Sequence, residues 1–312
     1  MIKGQEIITN IEELDKCINK IEKIFSSKDL LEIDFGKAKI NSYYSKSSFG
    51  YKYLHSENGA VHMALNYDGI FNEKGYLAQA KEISELIKDN NCNNILELGC
   101  GKGFNSSFLA KEFPKKNFHG IDITHKHLSI ANQNAQGLDN LYFSYGDFHD
   151  LEFKESTFDL IFELESICHA FDQKIVLESV YKTLKSKGLF VLYEGFRMNN
   201  FDNLSDNLIK ASRLTEKSMA VNSFFEIDKW LKIAADVGFN IRICEDISEA
   251  IMPNLGRFQR LARGYFKYPF LAKIFLFLLP REMVMNSIAG LLMPFTIFNK
   301  AQGYYKIILE KV

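Results

Sequence analysis

Apolar residues recur every three or four positions in some segments of the chain and form short continuous runs in others. The first spacing predicts amphipathic helices, and the second predicts buried strands. Helices are predicted at 11–25, 76–88, 105–113, 125–136, 172–184 and 226–237, and strands at 95–98, 117–123, 141–147, 158–166, 188–196, 240–247 and 304–312. Strands that alternate with helices predict β-α-β crossovers and a parallel sheet covered on both faces.

Three segments do not follow this alternation. Residues 36–75, rich in aromatic residues, serine, glycine and asparagine, are predicted to be irregular, and 197–225 form a polar stretch without a predicted element. Residues 248–300 interrupt the pattern before the last strand and hold all but one of the chain's prolines. We therefore expect a doubly wound, Rossmann-like α/β sheet, mostly parallel with an antiparallel last strand. The expected parts are an N-terminal helical cap (1–78), an α/β core (79–247), a helical insertion (248–300) and a closing strand (301–312).

Composition narrows the classes of protein. Apolar residues make up 46% of the 312 residues and charged residues 25%, which predicts a packed globular core. A net charge of −1 gives no reason to expect nucleic-acid binding. The five cysteines are odd in number and scattered, which favours a reducing compartment over disulfides or a zinc site. With no apolar signal region at the N-terminus and no apolar run of ~20 residues, we expect a cytoplasmic protein without a metal.

Three glycines lie between an apolar run and a helical pattern, in the stretch ELGCGKG that begins at Glu97. Glycine there lets the backbone approach a ligand closely, and the following helix N-terminus favours polar groups. A triphosphate-binding loop would need Ser or Thr after Lys102, and a dinucleotide loop would need a third glycine at Phe104 or Ser106. Neither pattern is met.

The spacing E-x-G-x-G-x-G resembles motif I of the class I S-adenosylmethionine methyltransferases. Asp122 ends the second predicted strand, where a carboxylate can accept hydrogen bonds from a ribose diol, and Asp147 ends the third. The resemblance implies that Asp147 meets the adenine amino group and that Phe148 packs on the purine. It implies S-adenosyl-L-methionine as cofactor, S-adenosyl-L-homocysteine as product, and a cofactor site comprising Glu97, Gly99, Cys100, Gly101, Gly103, Asp122, Ile123, Asp147, Phe148 and Glu163.

A second resemblance, to the sterol C24-methyltransferases, covers roughly residues 43–247 and weakly the last strand. In that family a strand runs into E-A-T-C-H and a later strand ends in Y-E; Glu165, Cys168 and His169 match the first motif, and Tyr193 and Glu194 the second. It implies methylation at carbon of a lipophilic, sterol-like or isoprenoid-like acceptor. The family's N-terminal aromatic stretch carries Trp and acidic residues that this chain lacks at 43–56, so a sterol specifically is one option among lipophilic acceptors.

Methylation of an alkene creates a carbocation, which aromatic faces and carboxylates stabilise before a base removes a proton. The predicted catalytic residues are Glu165, His169, Glu194, Tyr44 and Tyr76, with further tyrosines of the cap as an aromatic wall, namely Tyr43, Tyr51, Tyr53 and Tyr67. Cys168 is assigned no chemistry. Plainer roles stay open: His169 as a helix cap, and Glu165 as a backbone or cofactor ligand.

Two other functions also stay open. One is O- or N-methylation of a small natural product or lipid, with His169 or Glu165 as the base. The other is a non-catalytic cofactor-binding protein, which the complete set of cofactor residues disfavours.

The insertion differs in charge from the rest of the chain. Residues 251–300 contain seven Lys or Arg and one acidic residue. Arg257, Arg260, Arg263 and Lys267 are predicted on one helical stripe, followed by an apolar segment at 268–280 that is too short to span a bilayer. This pattern predicts contact with a membrane surface through 255–280, or else an apolar lid with a solvated face. A homo-oligomer is a further option.

Overall fold

A seven-stranded sheet forms the centre of the computed structural model, which describes residues 7–50, 55–56 and 59–312, with backbone alone at 48–50. The strands are β1 (Asn94–Leu98), β2 (Asn117–Asp122), β3 (Leu141–Tyr145), β4 (Phe158–Leu164), β5 (Leu184–Arg197), β6 (Phe239–Asp246) and β7 (Gln302–Lys311). Their order in the sheet is β3-β2-β1-β4-β5-β7-β6. The pairs from β3 to β5 are parallel, whereas β7 runs antiparallel to β5 and β6. The predicted doubly wound sheet with an antiparallel last strand is confirmed.

Helices cover both faces of the sheet, so the central strands bury apolar side chains on both of their faces. On β4, Leu160 and Phe162 join one buried cluster, while Ile161 between them joins another on the opposite face. The covering helices are α4 (Ala78–Asp89), α5 (Phe104–Glu112), α6 (His125–Asn134), α7 (Gln173–Thr183) and α9 (Ile227–Val237). All five were predicted from their spacing to within a few residues.

The remaining helices form a separate layer with its own core. They are α1 (Ile11–Glu22), α2 (Ser27–Leu31), α3 (Lys37–Gly50), α8 (Asp206–Ser218), α10 (Ser248–Phe266), α11 (Pro269–Leu278) and α12 (Arg281–Phe298). Buried side chains from the N-terminal cap, α8 and the insertion make one hydrophobic cluster, in which Tyr43, Leu214 and Phe295 take part. The insertion is helical, as predicted, and we call α10–α12 the lid.

Two helices of this layer contradict the sequence-based expectations. The segment 36–75 was predicted to be irregular, but its first third forms α3, and the polar stretch 197–225 contains α8. The helical spacing exists in both, yet small polar residues replace several apolar ones on the buried face, including Ser47, Ser212 and Thr215. Packing against α12 stabilises these helices, and local propensity does not reveal it.

None of the helices in the described part of the chain has the length and apolar composition needed to cross a lipid bilayer.

Candidate active site

The glycine turn (residues 99–103) joins β1 to α5, and its three glycines all have positive φ, namely +61° at Gly99, +53° at Gly101 and +75° at Gly103. A Cβ atom on Gly99 would lie 2.5 Å from Cβ of Ser166, and one on Gly103 would lie 2.5 Å from Cζ of Phe143. At Gly101 the nearest atom would be 3.8 Å away. Packing therefore requires the outer two glycines, whereas a Cβ at the middle one would meet only Val61 among the described residues, which leaves the backbone there open to a ligand.

Asp122, at the end of β2, holds this turn in place. Its Oδ2 accepts a hydrogen bond from the Gly101 N–H at 2.9 Å, and its Oδ1 accepts one from the Thr124 N–H at 2.7 Å. A carboxylate oxygen can accept two hydrogen bonds, so each keeps acceptor capacity for the hydroxyls of a ribose. The side chain is nearly buried and lies where the resemblance predicted it.

Glu97 is buried on β1, and its hydrogen bonds fix the first turn of α5. Its Oε1 accepts from Asn105 Nδ2 at 3.1 Å, and its Oε2 accepts from Ser106 N at 3.2 Å and Ser106 Oγ at 2.5 Å. Burial raises the pKa of Glu97 to about 7. Next along the turn, Cys100 is buried, and its N–H donates to the Ile121 carbonyl.

Asp147 follows β3, and its carboxylate accepts three hydrogen bonds. Its carboxylate accepts from His149 Nδ1 at 2.7 Å, from His149 N at 3.0 Å and from Lys37 Nζ at 2.9 Å. The hydrogen bonds from His149, with that from Lys37, hold the pKa of Asp147 below its usual range. Lys37 reaches the site from α3, the helix that the sequence pattern did not predict.

Two apolar members of the predicted cofactor set, Phe148 and Ile123, each follow a carboxylate at a strand end, Asp147 and Asp122 respectively. Phe148 is half-buried beside His149, at 4.9 Å between ring centroids, and His149 stacks on Phe171 at 3.8 Å. Ile123 packs against the cluster of the helical layer, and its carbonyl accepts from Asn41 Nδ2 at 3.3 Å. The turn and the strand ends thus bring the predicted cofactor residues to one edge of the sheet.

Glu163, near the end of β4, is fully buried and contacts the turn that follows the strand. Its Oε2 accepts from Ser166 N at 2.8 Å, Ser166 Oγ at 2.9 Å and Ile167 N at 3.3 Å. Its Oε1 has no hydrogen-bond partner among the described residues. Burial raises the pKa of Glu163 to about 7.

Glu165 adopts the left-handed conformation with φ of +54°, which is rare for a residue other than glycine. Its Oε1 accepts from Met63 N at 2.6 Å and from Tyr304 OH at 2.7 Å. Burial raises the pKa of Glu165 to about 7, so the carboxyl exchanges its proton near neutral pH. Its Oε2 makes no hydrogen bond with the residues that the structure describes.

His169 and Tyr44 form a hydrogen-bonded pair between the 3₁₀ turn after β4 and α3. The Ala220 carbonyl lies 3.2 Å from His169 Nδ1 and can only accept, which places the proton on Nδ1. Nε2 is then the acceptor for the Tyr44 hydroxyl at 2.6 Å. Burial lowers the pKa of His169 to about 4, so the imidazole is neutral at pH 7.

The other two predicted catalytic residues have different surroundings. Glu194 is buried on β5; its Oε2 accepts from Cys168 N at 2.9 Å and its Oε1 from Gly195 N at 2.7 Å, and burial raises its pKa. Tyr76 is buried between the cap and the lid, and its hydroxyl donates to the His55 carbonyl at 2.8 Å. Tyr43 donates to Asn286 Oδ1, Tyr67 donates to Glu82, and Tyr51 and Tyr53 lie outside the described residues.

Two adjoining cavities meet at Glu165. The apolar cavity, of about 350 Å³, lies under the lid, and the small cavity, of about 80 Å³, is lined by Tyr44, His169 and Glu194 among others. Val61, Met63, Glu165, Met219 and Met293 line both. Lid residues make most of the apolar cavity's wall, including Leu255, Phe258, Leu261, Ala262, Tyr265, Phe275, Leu279, Met283, Val284 and Ala289. Tyr76 is not among the residues that line these two cavities.

Tyr304 and Lys37 are site residues that the sequence-based reasoning missed. Because β7 is antiparallel, it begins at the edge where the parallel strands end, and its register pairs Tyr304 with Gly195. That rule, applied to the predicted last strand, would have found Tyr304. No comparable signal points to Lys37. Among the described residues, no group of three His, Cys, Asp or Glu side chains is arranged to hold a metal ion.

Comparison with known proteins agrees with this geometry. The model of a methyltransferase domain family matches residues 89–252, which is more than half of the chain. Sterol 24-C-methyltransferase of Saccharomyces cerevisiae is 28% identical over 158 residues, which cover 50% of this chain and 41% of that protein. Phosphoethanolamine N-methyltransferase of Plasmodium falciparum is 25% identical over 191 residues, covering 59% and 68%. The matched region spans less than half the length of the sterol methyltransferases.

Solved structures share the fold at low identity. Geranyl diphosphate C-methyltransferase from Streptomyces coelicolor, in complex with Mg²⁺, geranyl diphosphate and S-adenosyl-L-homocysteine, aligns with a TM-score of 0.59 at 12% identity, over 86% of this chain and 98% of that one. The [4+2]-cyclase SpnF aligns with a TM-score of 0.66 at 16% identity, over 89% and 97%. Such a likeness establishes the fold and leaves the reaction to the site. The chain belongs to the methyltransferase domain family, with the class I fold of the S-adenosylmethionine-dependent methyltransferases and a resemblance to the sterol C24 enzymes.

Proposed function

We propose that the protein transfers a methyl group from S-adenosylmethionine to a carbon atom of a lipophilic, sterol-like or isoprenoid-like acceptor. The observation that carries this proposal is the position of Glu165, whose carboxyl lines both the small cavity and the apolar cavity. A proton acceptor at that junction suits an alkene, whose methylation leaves a cation that must lose a proton.

The residues present fit the cofactor. The backbone at Gly101, the partly free acceptor capacity of Asp122 and the carboxylate of Asp147 offer contacts to an amino-acid tail, a ribose and the adenine amino group, respectively. When bound, S-adenosylmethionine supplies an electrophilic methyl group on a sulfonium. The protein's own contribution is to hold the acceptor carbon in line with that group and to exclude water.

The lining of the apolar cavity favours a lipophilic acceptor. Its described polar members are a few side chains, chiefly His55, Glu165, Asn286 and Ser287, and none is lysine or arginine. A phosphorylated acceptor would need cationic partners for its charge. The cavity instead offers apolar surface, whose burial against a hydrocarbon gives about 25 cal/mol per Å².

Around the reacting carbon, we assign three different tasks. Glu165 in its ionised form stabilises developing positive charge and takes the proton through Oε2. Tyr44 presents its ring and an oxygen made electron-rich by donation to His169, which stays neutral and positions it. Glu194, whose two oxygens bind backbone N–H groups, positions the segment that carries both Glu165 and His169.

N- or O-methylation is the second candidate, because phosphoethanolamine N-methyltransferase is also similar to this chain. That reaction needs a base beside the heteroatom and creates no carbocation. Tyr76 lines neither cavity, and its catalytic role stays a prediction. The cytoplasmic location and a homo-oligomer are also proposals.

The test is product analysis with methyl-deuterated S-adenosylmethionine and three acceptors: a Δ24-sterol in detergent, a polyprenol and phosphoethanolamine. We expect a deuterated methyl group on carbon in a lipophilic product, detected by mass spectrometry and located by NMR. Labelling of phosphoethanolamine alone would favour the second candidate. Calorimetry in which the cofactor does not bind would overturn both.

A further inference from the structure

Helix α11 exposes an apolar surface that the protein itself does not cover. Of its ten residues only Ala272 is buried. Phe277 is 89% exposed, Phe270 76% and Leu278 67%, and Leu271, Ile274 and Phe275 are also exposed. Contiguous exposed apolar surface of this kind marks an interaction site in a folded protein.

Basic residues surround this surface. Between Arg260 and Arg281 the chain has five basic residues and no acidic one. These are Arg260, Arg263, Lys267, Lys273 and Arg281, all exposed, and none forms an ion pair with another residue that the structure describes. The sequence-based stripe is corrected at one position, because Arg257 turns inward, where it donates to the His55 carbonyl and lies 5.2 Å from the ring of Phe71.

The same side chains serve as outer surface and as cavity wall. Leu261, Phe275 and Leu279 are exposed to the outside and also line the apolar cavity. One layer of side chains from α10 and α11 therefore separates the cavity from the surface around Phe270 and Phe277. A hydrocarbon that arrives at that surface has only this layer to pass.

We propose that α11 and its flanking basic residues dock on an anionic lipid bilayer, and that the acceptor enters the apolar cavity from the membrane between α10 and α11. The second part rests on the proposed function. The charge of this surface favours a membrane over a second copy of the chain. A symmetric dimer would bring five positive charges against five more, whereas anionic lipid headgroups pair with them. A helix of ten residues, about 15 Å long, lies in the interface and does not cross the bilayer.

The docking test is sedimentation with vesicles of phosphatidylcholine containing 30% phosphatidylserine, compared with pure phosphatidylcholine. We expect binding to the anionic vesicles at low salt and release at 0.5 M salt, because screening weakens headgroup attraction. The double variants Arg260→Glu/Arg263→Glu and Phe270→Glu/Phe277→Glu should each lower the partition coefficient about tenfold or more, because the first reverses two charges that attract anionic headgroups and the second places charge on the inserted apolar surface. The matched controls Lys115→Glu/Lys154→Glu and Tyr142→Glu, on exposed residues outside the lid, should bind like wild type.

Insertion of α11 has its own readout. The chain's one tryptophan, Trp230, is fully buried, so Phe277→Trp adds a distinct fluorophore. We expect its emission to shift to the blue on vesicle binding and to be quenched by brominated lipids, unlike that of Tyr142→Trp. A wild type that ignores anionic vesicles overturns the docking proposal. If, in that case, the wild type is a dimer in native mass spectrometry and Phe277→Glu dissociates it, the exposed surface of α11 is covered by a second copy of the chain.

Entry from the membrane is tested by transfer of cis-parinaric acid from the same vesicles to the protein. We expect transfer to wild type and transfer at least tenfold slower to Phe270→Glu/Phe277→Glu. Loading of this variant with probe added in ethanol should be unchanged. Equal transfer rates would overturn the entry route while leaving docking intact. Neither measurement requires turnover, so failure of the proposed methylation is recognised separately.

Discussion

The two halves of the site, the glycine turn with its carboxylates and the lid over the apolar cavity, are built from different kinds of contact. In the first, backbone N–H groups and carboxylates from neighbouring strand ends bind one another, as Asp122 binds Gly101 and Thr124. In the second, side chains from α10, α11 and α12 enclose a space of about 350 Å³ with few polar groups. On the proposed function, the first half binds S-adenosylmethionine, whereas the second selects the acceptor by shape and hydrophobicity.

Glu165 lines both the apolar cavity and the small cavity, and its substitution gives the largest expected effect. Glu165→Gln keeps the shape but removes the proton acceptor, so turnover should fall by roughly 10²–10⁴ while cofactor affinity stays nearly intact. A carbon acceptor should also yield altered alkenes or alcohols, because the cation loses its proton elsewhere or is trapped by water. Steady-state kinetics, calorimetry and mass spectrometry measure these three outcomes. Full activity in Glu165→Gln, with Glu152→Gln as the exposed control, would reduce the match around Glu165 to a structural resemblance.

Gly101→Val should impair cofactor binding without affecting the apolar cavity. The new side chain fills the space over the turn and strains a backbone with φ of +53°, so affinity for S-adenosylhomocysteine should fall by at least about a hundredfold. Loading of the apolar cavity with cis-parinaric acid should not change. Asp122→Ala should act in the same direction, through loss of a ribose acceptor and of the bond to Gly101. Calorimetry that finds unchanged affinity in both variants would contradict the assignment of the turn.

Gly290→Leu should impair the apolar cavity without affecting the cofactor site. A Cβ there meets its nearest neighbour, the Phe258 carbonyl oxygen, at 3.4 Å, so α12 accommodates the residue while the rest of the side chain occupies cavity space. We expect kcat/KM for a long acceptor to fall about tenfold, as the loss of one or two buried methylene sites implies, with cofactor affinity unchanged. Gly264→Leu is the matched control, because a Cβ at that helical glycine meets nothing within 4 Å. Equal effects of the two variants on kcat/KM would argue against the cavity as the acceptor site.

Tyr304→Phe removes the hydroxyl that donates to Glu165 and should give the smallest effect, a shift in the pH dependence of kcat. Glu165 must be ionised to accept a proton, so wild-type activity should rise with pH through about 7, the value to which burial raises its pKa. The hydrogen bond from Tyr304 favours the ionised form of Glu165 and therefore lowers the pKa that burial raises. Its removal should move the acid limb of the kcat profile to higher pH by about one unit. A shift in the other direction, or a lower kcat with an unmoved limb, would show that Tyr304 does not act through Glu165.

The same contrast explains how far the sequence led. Asp122 and Gly101 are 21 residues apart, one at the end of β2 and the other in the turn after β1, so the motif and its spacing indicated that they meet. The contacts around Glu165 join residues 102, 125 and 139 positions apart, in the pairs Met63 to Glu165, Tyr44 to His169 and Tyr304 to Glu165. No local pattern encodes these hydrogen bonds, since they form only when α3, β7 and the segment at Met63 pack against the turn after β4; the direction of β7 places Tyr304 at this edge without naming its partner.

The cap shows the physical limit most clearly. Tyr44 was predicted as a catalytic residue because the tyrosines of the cap could form an aromatic wall around a cation, yet the helix that carries it was not predicted. Buried serines on α3 and α8 hide the apolar periodicity on which such predictions depend. The helical insertion could be recognised as a departure from the β-α-β pattern, but the cavity beneath it depends on three helices meeting in space.

Helix α11 is anchored by the buried Ala272, by the partly buried Leu276 and by a hydrogen bond from Tyr265 OH to the Ala272 carbonyl at 2.9 Å. Its local unfolding therefore costs far less free energy than that of β5, which pairs along its whole carboxyl-terminal half with β7. Amide hydrogens of α11 should exchange with deuterium at a rate set by this local fluctuation, and those of β5 only through global unfolding. Access to the cavity is then a thermally activated event of one helix, during which the sheet that holds the cofactor stays folded.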